Sequence, residues 1–488
     1  EKQNENFIFL GHIPNVKIEN YVNNKFYGSI YNMFRDILGD ENMIKWNWCN
    51  MTKSELDNFL NQNKDLNNGE KKQMFGLRRI NRDSIQEKLK SIVGNLGVFC
   101  KWSLIAILVG VAAGAFSTAF GHCINFVTTF RTNHLWAIFF LPFAGMLIIY
   151  LYKVCDYEKN KGTDQVFLTV HAEKKDIPFR MAPLIFISTV LTHLCGGSAG
   201  REGAALQMGG SIGSTIGRIL HLDEKDRIVL VMCGMSAAFS ALFGTPMAAT
   251  IFAMEVESVG IMYYAALLPC ALSAIIASRF AVNMGINPES FLIQEVPEFT
   301  VQNSLKVVIL AVLCAYLSAF FCVMLHTANR YLRAYFRNPY VRIVVAAIFV
   351  IAVNLLLHTT DYMGAGIDVI ERAVEGEVRP EAFLLKMILT AVTLGAGFKG
   401  GEIVPSFYIG ATAGCFLGYM LGLSPSFAAA LGMTAVFCGV TNCPISSVLI
   451  AFELFGYSGN CFYLVTAAIA SIRTSRPRQR QECWKCRK

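Results

Sequence analysis

Gly200-Arg201-Glu202-Gly203 sets a charge pair inside a stretch that is otherwise apolar. Met181 to Ala199 precedes it and Ala204 to Ile216 follows it, the latter holding Gly209 and Gly213, with Gly217 at the same spacing. A carboxylate at the centre of a bilayer costs roughly 2.5–3.5 kcal/mol even on the mildest insertion scale. Glu202 therefore requires a partner, a water-filled vestibule or a function. Glycines on either side of the pair leave backbone amides uncovered and let a helix begin there. A helix N-terminus within the membrane attracts anions, so the segment points to ion transport.

Composition supports a membrane protein. Of 488 residues, 54% are hydrophobic and 16% charged, with a mean hydropathy of +0.43. Soluble domains carry about 25% charged residues. Ser103–Phe130, His134–Tyr152, Val259–Ser278, Val307–Asn329 and Ile403–Leu449 contain no Asp, Glu, Lys or Arg. Each can supply the ~20 residues that cross a ~30 Å hydrocarbon core, which predicts an all-α polytopic fold. The chain opens on a polar stretch with no apolar signal segment.

The 15 cysteines stand mostly alone in apolar segments, as at Cys123, Cys195, Cys233, Cys270, Cys322 and Cys438, and read as small buried hydrophobes. Cys483 and Cys486 form one C-x-x-C without the second pair or nearby histidines that zinc requires. The histidines show no H-E-x-x-H spacing. No metal or other cofactor is expected.

Three parts follow: a polar segment over 1–97, a membrane domain over 98–472 and a basic tail over 473–488. Lys71, Lys72, Arg78, Arg79, Arg82, Lys88 and Lys90 lead into the first membrane helix, and Arg473, Arg476, Arg478 and Arg480 follow the last. The positive-inside rule puts both termini in the cytoplasm of a multi-pass protein of the cell membrane, with an even number of crossings. The net charge of +8 gathers at the two ends, which suits anionic lipid headgroups better than nucleic acid.

The membrane domain repeats itself. Gly234-Met235-Ser236-Ala237-Ala238-Phe239 aligns with Gly432-Met433-Thr434-Ala435-Val436-Phe437, and without a gap Pro246 falls on Pro444, Ala253 on Ala451 and Glu255 on Glu453. In a second block Gly200 pairs with Gly401, and Gly209, Gly213 and Gly217 pair with Gly410, Gly414 and Gly418. More weakly, Gly162-Thr163-Asp164 matches Gly366-Ile367-Asp368. The halves run over about 98–285 and 304–472. Such duplications build transporters whose sites form at the repeat interface from broken helices. The glycine ladders by themselves read as close helix packing.

These blocks resemble the CLC family of anion channels and anion/proton antiporters over residues 98–470. Gly200-Arg201-Glu202-Gly203 is similar to the family's G-R-E-G-P, with Ala204 in place of proline. Gly400-Gly401-Glu402-Ile403-Val404-Pro405 is similar to its G-G-x-F-x-P. The resemblance implies a homodimer with one anion path per subunit, built from tilted, often half-length helices in inverted repeats. It makes Glu202 the gating and proton-coupling carboxylate, able to occupy an anion's place at helix N-termini and to leave when protonated. Anion ligands are then Thr163 and Gly162, Arg201, Gly203, Ile403 and Val404.

Departures from the family pattern select a branch. Chloride-handling members carry G-S-G-I-P before the first site, where this chain reads Lys161-Gly162-Thr163-Asp164-Gln165. Chloride/proton exchangers carry a second, internal glutamate, where this chain has Val256 directly after Glu255. Glu402 replaces an apolar residue of the second motif and is a candidate proton or gating carboxylate. Together these changes resemble the fluoride/proton antiporter branch, an exporter of fluoride. The alternatives are a chloride/proton antiporter or a chloride channel of the same fold. An intramembrane enzyme is a further alternative, but Asp164 and Asp368 lack the local motifs of paired catalytic acids, so no enzyme is expected. The family closes its anion path with a tyrosine on a terminal helix. Here the apolar segment after Asn460 stops at Ile472 and no tyrosine follows Tyr463.

Overall fold

The computed structural model describes residues 82–155, 177–256 and 263–474, with side chains from 96 to 472 within them. Gly162, Thr163 and Asp164, the polar segment before 82 and the basic tail beyond 474 lie outside the described residues.

The regular elements among the described residues are all helices, with no strand. In chain order the α-helices are α1 (Arg82–Asn133), α2 (Leu141–Val154), α3 (Met181–Leu194), α4 (Glu202–Ile219), α5 (Glu224–Phe243), α6 (Pro246–Glu255), α7 (Leu267–Asn283) and α8 (Val301–Tyr335). They continue as α9 (Pro339–Leu356), α10 (Ile367–Glu375), α11 (Ala382–Ala396), α12 (Ile403–Leu421), α13 (Pro425–Thr441), α14 (Pro444–Phe455) and α15 (Asn460–Thr474). Among the described residues, seven helices are long and apolar enough to cross a membrane, while α3, α11, α13, α14 and the Asn460–Ile472 part of α15 are apolar but shorter. Half-length helices expected from the interrupted sequence are therefore present, and α1 begins within the segment read as a polar leader.

The helix breaks have visible causes. α5 ends at Gly244 (φ 75°) and α13 ends at its repeat counterpart Asn442 (φ 58°), both left-handed. Glycine and asparagine are the residues that adopt this conformation most cheaply. Two residues later comes proline, Pro246 or Pro444, which opens the next helix. The same stop-and-restart device operates once in each half.

Glycines decide how closely the long helices meet. α4 packs on α5 and α12 packs on α13, the two most intimate helix pairs of the molecule. A Cβ on Gly209 would run into the carbonyl of Gly234 and the reverse holds equally; Gly410 and Gly432 stand in the same relation in the second half. The ladders are thus packing seams, as read from the sequence.

The halves are laced together by carboxylates at helix ends. Glu255, closing α6, accepts hydrogen bonds from Ile445 N (3.0 Å), Ser446 N (2.8 Å) and Ser446 Oγ (2.5 Å) at the start of α14. Glu453, near the end of α14, accepts from Met247 N (2.9 Å) and Ala248 N (2.8 Å) at the start of α6. Each helix caps the other, satisfying amides with no partner of their own, and the two must run antiparallel.

Candidate functional site

The two glycine motifs meet. Gly200 N donates to Gly401 O (2.8 Å) and Gly401 N donates to Gly200 O (2.7 Å), an antiparallel bridge between the halves. Only residues without side chains allow it: a Cβ on Gly401 would lie 2.6 Å from Gly203 N, and one on Gly400 would collide with Ala199. From this bridge α4 and α12 both begin. Their first helical bonds are Ala205 N to Arg201 O and Ser406 N to Glu402 O. The amides of Gly203, Ile403 and Val404 therefore precede the first bonded turns, and neither helix has a side-chain cap bond. Two positive helix ends face one region of the core.

Glu202 lies there with 0% exposure. Its Oε2 accepts from the Arg201 amide (3.0 Å) and its Oε1 from Arg201 Nε (3.2 Å). A carboxylate thus sits on the backbone at a helix start, where a free anion would bind for the same electrostatic reason. Arg201 is nearly buried and spreads its remaining donors outward, with Nη2 to Glu289 Oε1 (2.7 Å) and Nη1 to Asn125 Oδ1 (3.2 Å).

A cavity of ≈ 10 Å³ adjoins Glu202, lined by Arg201, Glu289, Phe243, Phe407, Val404 and Ile370 among others. That is the lower edge of what one water needs, roughly 10–15 Å³. Phe243 and Phe407 belong to a closed circuit of rings that crosses the repeat interface. Centroid separations run 5.2 Å from Phe239 to Phe243, 5.6 Å to Phe407, 4.9 Å to Phe437, 5.7 Å to Phe252 and 5.2 Å back to Phe239. Phe243 and Phe407 are each stacked on a neighbour. Stacking occupies ring faces, and the ring edges carry partial positive charge.

Behind the bridge two buried cations hold backbone rather than acids. Arg131 Nη1 donates to His193 O (2.5 Å), at the end of α3. Lys386 Nζ donates to Tyr362 O (3.2 Å) and Gly364 O (2.7 Å) and lies 4.9 Å from the Tyr408 ring centroid. Gly364 N donates to Gly197 O (3.0 Å), so the loop before α10 is fixed to the loop before Gly200.

Of the residues expected from sequence, Glu202, Arg201, Gly203, Ile403 and Val404 come together at the bridge. Glu402 stands at the N-cap of α12, half-buried; its backbone carbonyl accepts from Ser406 N, while its carboxylate has no hydrogen bond or ion pair among the described residues. Thr163 and Gly162 fall outside the described residues. Asp368 lies on the short helix α10. Sequence reasoning missed Glu289, Asn125, Phe243, Phe407, Arg131 and Lys386. The only signal for the phenylalanines was Phe239 and Phe437 at matching places of the duplicated block; nothing marked Glu289. No group of side chains suited to a metal occurs among the described residues.

Comparison with known proteins identifies the family. The family described as "Voltage gated chloride channel" (Voltage_CLC) matches residues 144–476. A chloride/fluoride channel protein of Pseudomonas syringae pv. tomato is 34% identical over 74% of this chain and 81% of its own length. An H(+)/Cl(-) exchange transporter ClcA of Vibrio cholerae is 24% identical over 72% of this chain and 81% of its own length. Among solved structures, a CLC-type fluoride/proton antiporter superimposes with a TM-score of 0.75 at 35% identity, over 77% of this chain and 95% of that one. A slow cyanobacterial Cl-/H+ antiporter superimposes with a TM-score of 0.67 at 18% identity, over 79% of this chain and 98% of that one, a likeness of fold alone. With its paired glycine motifs, duplicated halves and a family match across most of its length, the chain belongs to the CLC family of anion transporters.

Proposed function

We propose that this transporter is a fluoride/proton antiporter that exports fluoride, working as a homodimer in the cell membrane with both termini in the cytoplasm. The observation that carries the reading is Glu202: a fully buried carboxylate bonded to a helix-start amide, beside a cavity of single-water size. Its negative charge fills an anion's place. Protonation removes that charge and weakens both bonds from Arg201, so the side chain leaves and an anion takes the vacated amides. One carboxylate thereby links anion entry to proton uptake.

The choice of fluoride rests on Val256 in place of an internal acid, on Glu402 in the second motif and on the absence of a G-S-G-I-P segment. It is supported by the 35% identical fluoride/proton antiporter and the 34% identical chloride/fluoride channel protein. The amides of Gly203, Ile403 and Val404, with Arg201, Gly162 and Thr163, are the proposed anion ligands. Glu402 is the proposed second carboxylate, on the opposite half from Glu202.

Anion efflux from liposomes loaded with fluoride or chloride, with pH recorded alongside, tests this. Fluoride leaving faster than chloride with proton counterflow is the expected result. Faster chloride efflux would reverse the choice of ion, and efflux without proton counterflow would make the protein a channel.

A further inference from the structure

Glu289 has no counterpart in the motifs, yet it shares both a guanidinium and a cavity with Glu202. Arg201 donates to Glu202 through Nε and to Glu289 through Nη2, and both carboxylates line the same small space. Their surroundings differ in one respect. The Glu202 side chain is 0% exposed, whereas that of Glu289 is 21% exposed. Glu289 therefore reaches the surface of the molecule, and Glu202 does not.

The position of Glu289 is fixed by the fold. Its amide donates to Phe243 O (3.1 Å), and two residues on, Phe291 N donates to Leu454 O (2.8 Å). Pro288 packs so tightly on Gly244 that a Cβ there would meet Pro288 Cα at 2.6 Å. The groups around Glu289 are Arg201 and Glu202 from the start of α4 and Glu371 from α10, while His122 of α1 holds Met284 O on the same connecting segment. Partial burial, and then the neighbouring carboxylates Asp368, Glu289 and Glu375, push the Glu371 carboxyl above its ordinary range. The approach to the cavity is thus acidic and favours proton capture.

We propose that Glu289 is the outer proton-transfer carboxylate of this transporter, passing protons to Glu202 through a single water held in the cavity between them. In the step, the Glu289 carboxyl O–H bond breaks and its proton joins the water, while the water gives one of its own protons to a Glu202 oxygen. Glu289 ends ionised, Glu202 ends neutral and the water is unchanged. Relays of this kind are a usual role of acids inside membrane proteins. The newly ionised Glu289 keeps Arg201 neutralised at the moment Glu202 loses its charge, so the guanidinium does not trap the incoming anion. Arg201 acts here as a positioning residue.

The inference rests on the antiport reading, and its test separates the two. Wild type, Glu289→Gln and Glu289→Asp are reconstituted in liposomes, and fluoride-driven proton uptake is recorded with pH varied on each face separately. Wild type must show coupled proton uptake; if it does not, the antiport reading fails and this inference with it. Given coupling, Glu289→Gln should slow proton uptake roughly 100-fold, the lower end of what a positioned acid–base group supplies. It should also flatten the pH dependence on one face only, while Glu289→Asp restores most of the rate. Glutamine can still accept from Arg201, and a matched thermal melt shows whether the fold survives. Wild-type rate with an unchanged pH profile in Glu289→Gln overturns the inference. So does a uniform loss in which profile and ion-to-proton ratio stay the same, because that is a structural effect.

Discussion

Arg201 and Glu202 form a buried pair, and burial of charges offsets much of their attraction, so the pair adds little to stability. Glu202→Gln keeps an oxygen for the Arg201 amide but cannot take up a proton. Anion efflux should persist in this variant while proton uptake falls to background, as measured with a pH-sensitive dye in liposomes; proton uptake at the wild-type rate would remove Glu202 from the coupling. Arg201→Met leaves Glu202 and Glu289 without the cation they share. Breaking a buried pair from one side costs about 3–5 kcal/mol, so its melting temperature in detergent should fall sharply. Adding Glu202→Gln should recover part of that loss, and no recovery would argue against a strained buried carboxylate. At this scale the sequence was readable where a charge interrupts an apolar run, because the energetic cost of that charge is local. Glu289 was not readable: it sits in a polar connecting segment where a glutamate is unremarked, and only the tertiary fold brings it to Arg201.

Helices α4, α5, α12 and α13 meet backbone to backbone, and α6 and α14 cap one another. Gly432→Ala aims a methyl at the Gly410 carbonyl with no flexible atom to yield. Overpacking of this kind costs about 1–3 kcal/mol or more, which a thermal melt should detect. Gly97→Ala, with nothing within 4 Å of the added carbon, should be neutral or slightly stabilising. The caps predict an order. Glu255→Ala strands three donors and Glu453→Ala strands two; one amide in each set, Ile445 and Met247, belongs to an exposed residue that water can reach, which leaves two donors of Ser446 against the one of Ala248. Each buried donor left unpaired costs about 1–3 kcal/mol, so Glu255→Ala should melt lower, and the reverse order would contradict the reciprocal-cap picture. The pairings of Pro246 with Pro444 and Glu255 with Glu453 were legible as a duplication. That each glutamate caps the opposite helix was not, because a repeat reveals equivalence and leaves contact unstated. The start of α1 at Arg82 was missed although Ile85, Leu89, Ile92, Val93 and Leu96 recur at helical spacing there, because the surrounding charges made the segment read as a polar leader.

Across the whole molecule the duplication, the fold class and the meeting of the two glycine motifs followed from sequence, whereas the ring of five phenylalanines emerged only from the folded halves. The bridge between Gly200 and Gly401 bears on how turnover proceeds. Its two hydrogen bonds, together with the crossed caps of Glu255 and Glu453, fasten one half to the other beside the proposed ion site and at a second place. Rocking the halves apart would rupture all of these at once. The amide hydrogens of Gly200 and Gly401 should therefore stay protected from deuterium exchange during fluoride transport, followed by mass spectrometry; rapid labelling under turnover would show that the halves separate. A carrier so riveted has no need to reorganise its scaffold in each cycle. If that protection holds, its elementary moves are side-chain swings within a fixed frame rather than the microsecond-to-millisecond motions of whole domains.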